Sequence, residues 1–316
     1  MRRNSSRRWC FLLFPGVLAL VCALLLSDVG TTARAANTST SGVSMKEVTQ
    51  DPKAVADYWT PERMRTAKPA DIILPEKKQP VSTRPGILAA TAVPTGSYGT
   101  FPYSTIGKVF FTDPRTGSNY VCSGTAVQSQ NGSTVDTAGH CVAAGGENRY
   151  YTNWAFCPQY IDGSCPKGRW TARRLLADSV WLSSGALYRD YGAAVVNTLN
   201  GQTLVAAVNG VQFGANLSRT QTWYALGYPA ASPFNGNRMY QCISGRIADD
   251  SGTPQPIGIS CNMTGGCSGG GWLINVNGTW YVNGHNDYKY GATSNNMYSP
   301  YYGNEALNVY NTAQIA

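Results

Sequence analysis

From about residue 91 onward the chain alternates short runs of β-branched and aromatic residues with Gly, Pro and Asn turn signals. Runs at 108–111, 120–127, 149–156, 193–196, 222–226, 271–276 and 280–283 read as strands. They are too short for buried helices, and their residue types suit a pleated surface. Strands recurring at this spacing predict an all-β sandwich or barrel. Folds of that class reach this size as one unit. The only late helical periodicity lies at 304–314, with Asn304 as a candidate N-cap and Leu307, Val309 and Tyr310 as apolar contacts.

Ahead of residue 91 the pattern changes twice. Arg2, Arg3, Arg7 and Arg8 precede a mostly apolar stretch at 11–26, and Ala33-Arg34-Ala35 follows as a small-residue cleavage site. This predicts an export signal over 1–35. Sixteen apolar residues are short for a membrane span, and no later run is apolar enough. A secreted, extracellular protein is expected, with no membrane attachment after processing. Residues 36–90 are rich in Pro, Lys, Glu and Thr, lack Cys, and hold helix-friendly pieces within 43–58. By composition alone they read as a disordered linker.

The formal net charge of +8 needs to be divided before it is interpreted. Residues 1–90 carry 13 of the 25 Lys and Arg but 7 of the 17 acidic residues. The excess therefore sits in the leader and the segment after it. A nucleic-acid footprint needs a basic face on the folded part, and residues 91–316 offer no basic run, so nucleic acid is not an expected partner.

Candidate chemistry concentrates in three places. Gly265-Gly266-Cys267-Ser268-Gly269-Gly270 holds a serine between glycines. Glycines reach the φ > 0 conformations that turn successive N–H groups toward one point, as an oxyanion hole requires. A serine hydroxyl needs a base, usually histidine near neutral pH, and the chain has only His140 and His285. His140 lies in Thr137-Ala138-Gly139-His140-Cys141, and Asp190 opens an apolar run some fifty residues later. A buried carboxylate fixes the tautomer of such a histidine and stabilises its imidazolium. Asp178 is the other nearby carboxylate.

TAGHC, DYGAAVV and GGCSGGGW, in that order, resemble the chymotrypsin-like (trypsin-fold) serine peptidases, especially secreted bacterial glutamyl-endopeptidase-type and trypsin-like enzymes. The resemblance runs from about Ile106 to Asn308. It implies two six-stranded Greek-key barrels with the site between them and a short C-terminal helix. It also implies a serine endopeptidase over 91–316 that works through an acyl-enzyme on protein or peptide substrates. Ser268 would be the nucleophile, His140 the base and Asp190 the orienter. The N–H groups of Gly266 and Ser268 would form the oxyanion hole. No metal or other cofactor is expected, and a monomer is.

Within this template residues 36–90 read as a propeptide that blocks the site, since a secreted protease must be silent inside its maker. The cut is expected between 84 and 96, for instance after Arg84. The resemblance places the floor of the primary pocket at Asn262 and one wall near His285. A histidine there could bond an acidic substrate side chain, which implies a preference for acidic residues before the cut. Asp287 would repel such a side chain if it faced the pocket.

Seven cysteines follow the leader, and export predicts disulfides. No C-x2-C pair supports a metal reading. The resemblance pairs Cys122 with Cys141, closing a loop worth about 3 kcal/mol. Cys157–Cys165 and Cys242–Cys261 are the expected remaining pairs. They leave Cys267, read as a small buried side chain. Where animal trypsins carry an aspartate that receives the new N-terminus, this chain has Cys267, so activation is expected without that ion pair. Two alternatives belong to other classes: a catalytically silent protein of the same fold, and a surface- or glycan-binding protein using the Tyr-rich stretch 283–302.

Overall fold

The computed structural model describes residues 42–77 and 89–316. The export signal expected over 1–35 and the cut expected after Arg84 lie outside them. Six antiparallel strands form a closed barrel in the first half: Ile106–Thr112, Asn119–Val127, Thr134–Ala138, Tyr191–Val196, Trp170–Asp178 and Thr152–Pro158, the last returning to pair with the first. Its register sets Val109 opposite Cys122, Thr125 and Ala193 opposite Asp136, and Ala194 opposite Leu175.

Successive side chains of a strand point to opposite faces, and here both faces are covered. Val109 and Phe111 pack inside the barrel with Val135, Trp154, Phe156 and Leu175. Phe110 and Val121 point outward into a second core with Trp59, Tyr160 and Tyr228. Each such burial contributes about 1.5–3 kcal/mol. Ile106–Thr112 is therefore buried at every position instead of alternating.

A second sheet follows, with the order Thr279–His285, Gly271–Val276, Thr222–Gly227, Tyr240–Asp249, Ile257–Ser260 and Asn296–Ser299. The first of these continues through Asn286 and Asp287 into Tyr288–Tyr290, which pairs with Asn296–Ser299, so the sheet curls back on itself. Its core holds Trp223, Ile257, Ile259, Trp272 and Met297. The late helix is present as Asn304–Ala313, with Ala306, Val309 and Ala313 buried. Its N-cap is Gly303. Asn304 instead spends its side-chain oxygen on the Asn216 amide, 2.7 Å away.

Among the described residues the cysteine pairs are Cys122–Cys141, Cys157–Cys165 and Cys242–Cys261, with Cys267 free and buried. No helix among the described residues is long and apolar enough to cross a membrane.

Residues 42–77 are folded onto the barrel and are not a loose linker there. Val43–Glu47 is a strand paired with Trp170–Asp178, where composition suggested a helix; the exposed edge of that strand supplies the partners. Two short helices follow, Pro52–Tyr58 and Pro61–Thr66, capped by Asp51 and Thr60 and each opened by proline. Trp59 is fully buried, donates to the Asn153 carbonyl at 2.6 Å and packs on Phe110 at 5.3 Å between ring centroids. From this anchor Lys68–Pro69 pairs with Asn119–Val127, and Ile72–Leu74 pairs with Tyr288–Tyr290. The chain thus crosses from one half of the molecule to the other.

Candidate active site

His140 sits in the one-turn helix Gly139–Cys141 that ends the strand Thr134–Ala138, and the Cys122–Cys141 bridge ties that turn to the neighbouring strand. Asp190 precedes the strand Tyr191–Val196, which pairs with the strand leading to His140. One oxygen of its carboxylate accepts the His140 backbone N–H at 2.7 Å, and the other lies 2.7 Å from Nδ1. This closeness depends on Gly139: a β-carbon there would meet Asp190 Oδ1 at 2.5 Å and Trp181 at 2.8 Å. Asp178 is spent elsewhere, capping the helix Ser179–Ser184 and pairing with Arg189 at 2.7 Å.

Ser268 lies in the glycine turn of the second half. Gly266 and Gly269 have φ of +93° and +77°, conformations open to glycine at little cost. The turn is locked to the barrel. Ser123 donates its N–H to the Ser268 carbonyl at 2.7 Å and its hydroxyl to the Gly266 carbonyl at 2.9 Å. Cys141 Sγ is 3.6 Å from the same Ser268 carbonyl. The structure therefore brings together His140, Asp190 and Ser268, from three separate motifs.

The site is covered by the segment before it. Ser268 is 3% exposed, and its Oγ donates to the Ala70 carbonyl at 3.1 Å. His140 Nε2 is buried with no hydrogen-bond partner among the described residues. Ala70 is itself held by its N–H on the Val121 carbonyl at 3.0 Å. The Asp71 carboxylate lies hard against Gly265, leaving no room for a β-carbon, and takes the Gly266 N–H. That N–H is one of the two expected to hold an oxyanion, so a carboxylate occupies the position.

A second buried carboxylate joins the pair. Asp287 Oδ1 is 3.3 Å from His140 Nδ1, so Asp287 faces this histidine. Burial alone would hold the His140 ring neutral. The charge and hydrogen bond of Asp190, with Asp287 adding to both, push its pKa up to about 10. Burial works to raise Asp190, yet the His140 charge and hydrogen bond hold it below its usual range. Burial and the neighbouring Asp190 drive Asp287 well above its usual range. Burial also raises Asp71.

Among the described residues, two groupings have ligand atoms close enough for a metal ion. In one, Cys122 and Cys141 are bonded to each other. In the other, His140, Asp190 and Asp287, both Asp190 oxygens are already bonded to His140.

The residues expected at the primary pocket lie elsewhere. Asn262 accepts the Ala90 N–H at 2.7 Å. His285 is fully buried with Nδ1 2.8 Å from the Tyr302 hydroxyl, which donates to Asp136 at 2.7 Å. Neither lines the cavity beside Ser268, which is formed by Asp71, Thr264, Gly265, Cys267, Asp287 and Lys289 among others. Burial raises the Cys267 thiol, which suits a small core side chain and not a nucleophile. Lys289 and Asp71 were not among the residues the motifs pointed to. A lysine alternating with Tyr288 and Tyr290 in an apolar strand was the available signal for the first.

Among solved structures, the chain is similar to protease Anisep from Arthrobacter nicotinovorans, at 46% identity over 67% of this chain and 96% of that one, with a TM-score of 0.63. It is similar also to the thermostable serine protease AL20 from an extremophilic microorganism, at 37% identity over 71% and 100% of the two chains, with a TM-score of 0.64. A Glu endopeptidase in complex with MPD, 17% identical over 72% and 97%, shares the fold at a TM-score of 0.58. No family model matches the chain, and no curated protein does.

Proposed function

The chain belongs to the chymotrypsin-like serine proteases, and on that premise we propose that it is a secreted endopeptidase made as a latent precursor. The convergence of His140, Asp190 and Ser268 in one buried site carries this reading. Ser268 attacks the scissile carbonyl while His140 takes its proton, then returns it to the leaving amine. Asp190 holds the ring by Nδ1 and stabilises the imidazolium. The N–H groups of Gly266 and Ser268 receive the oxyanion, and water then hydrolyses the acyl-enzyme by the same base. The substrates are proteins or peptides, with an acidic residue preferred before the cut.

The segment 42–77 acts as the inhibitory propeptide. With Ala70 on the Ser268 hydroxyl and Asp71 on the Gly266 N–H, both the nucleophile and the oxyanion donor are engaged. His140, held as an imidazolium, cannot take a proton in this arrangement. Removal of the segment admits water and substrate to Nε2. Incubating the processed enzyme with a denatured protein and mapping new termini by mass spectrometry tests the reading. New termini that vanish in Ser268→Ala support it, and equal cutting by the variant overturns it.

A further inference from the structure

The cavity beside Ser268 contains a buried lysine with no carboxylate in contact with its ammonium among the described residues. Lys289 is 5% exposed, and its Nζ donates to the Met263 carbonyl at 3.0 Å. An ammonium has three N–H donors. Among the described residues Nζ makes no other hydrogen bond and has no carboxylate within 4 Å. A buried charge left unpaired is costly, and such groups are normally paired or neutralised.

Burial lowers the Lys289 pKa, and the Asp71 charge acts against that only from beyond ion-pair distance. Asp287 lies against His140 and Asp190, and burial holds its pKa well above the usual range. The Cys267 thiol is neutral, and the Thr264 hydroxyl is spent on the Ala231 carbonyl at 2.6 Å. Asp71 enters the cavity but directs its carboxylate to the Gly266 N–H and stops short of Nζ. It demonstrates that an acidic side chain fits here.

Resting on the serine-endopeptidase reading, we propose that Lys289 is the specificity-determining residue of the primary pocket, pairing with the carboxylate of a Glu or Asp side chain before the scissile bond. Lys289 takes the part that the sequence motif suggested for His285. The Met263 carbonyl accepts one N–H of the ammonium itself, so the ammonium is held in place before substrate arrives. Its two remaining donors match the two oxygens of a carboxylate and would reject the neutral amide.

The test uses the full chain, secreted and processed, on two peptides that differ only in Glu or Gln before the cut. The wild type is expected to favour Glu by at least about tenfold in kcat/KM, with Lys289→Met bringing the ratio near one and Lys289→Glu reversing preference toward Lys or Arg. A Lys289→Met enzyme that keeps the wild-type ratio overturns the assignment. So does a wild-type ratio near one, which decides the matter even if the variants fail to fold. Loss of all Ser268-dependent cutting in the wild type would instead overturn the peptidase reading itself.

Discussion

The two histidines of this chain are both buried, and their pKa values are shifted in opposite directions. His140 has a carboxylate 2.7 Å from Nδ1 and a second at 3.3 Å, and burial is outweighed. His285 has a tyrosine hydroxyl at 2.8 Å instead, and burial dominates, lowering its pKa to about 3. The same ring is thus a charged partner in one half and a neutral core group in the other. Burial of a histidine therefore says little about its function; the group bonded to Nδ1 decides which form is held.

Replacing that group breaks the contrast most severely. Asp190→Asn keeps the volume and removes the charge, so His140 loses both its imidazolium and its tautomer. The processed enzyme should lose kcat by about 10^4-fold, the loss seen when the orienting carboxylate of such a triad is amidated. Steady-state kinetics on a good peptide will measure it. A loss under about tenfold would mean that Asp287, not Asp190, orients the ring.

The second difference between the histidines is what covers them. His285 lies beneath Tyr302, a fixed part of the fold, whereas His140 and Ser268 lie beneath a segment anchored by Trp59 and paired only at its edges. Asp71→Ala removes the carboxylate from the Gly266 N–H and leaves the rest of the segment in place. A hydrogen bond to a charged group is worth about 1.5–3 kcal/mol, so fluorophosphonate labelling of Ser268 in the freshly secreted precursor should quicken by roughly ten- to a hundredfold. Unchanged labelling would show that the Ala70 contact and the strand pairings alone keep the precursor silent.

How far these features could be read from the sequence depended on whether they were local. The His140 and Ser268 turns are written in contiguous residues because Gly139, Gly266 and Gly269 must occupy conformations or spaces closed to other residues. Strands with strong β-branched runs were legible for the same reason. Thr134–Ala138, Trp170–Asp178 and Tyr240–Asp249 were not read as strands: buried Asp136, the half-buried Arg173 and Arg174 and the exposed Arg246 break their apolar pattern. The pocket lysine and the Asp71 plug depend on chain segments far apart in sequence. No spacing rule places Lys289 beside Met263, or Asp71 against Gly265. His285 shows the cost of carrying a motif by position: its neighbour at the ring, Tyr302, lies 17 residues away.

The smallest effect comes from the His285 side and is read in stability against pH. His285 has a folded pKa of about 3 against an ordinary 6.5, so its contribution is present above about 6.5 and is lost as pH falls toward 3. Asp136, on the far side of Tyr302, is raised by burial to about 8, against the hydrogen bond from that tyrosine. Its contribution is present below an ordinary 3.8 and is lost as pH rises through 8. Across pH 4–6 the two slopes oppose one another. His285→Gln keeps a polar partner for Tyr302 and removes one slope. Relative to wild type, the variant should lose stability as pH rises from 4 to 6, by on the order of 1 kcal/mol per pH unit. Urea denaturation of processed enzyme, inactivated with fluorophosphonate to prevent self-digestion, gives the two curves. Parallel curves would mean that His285 titrates as it does in the unfolded chain, and the contrast between the two histidines would then rest on His140 alone.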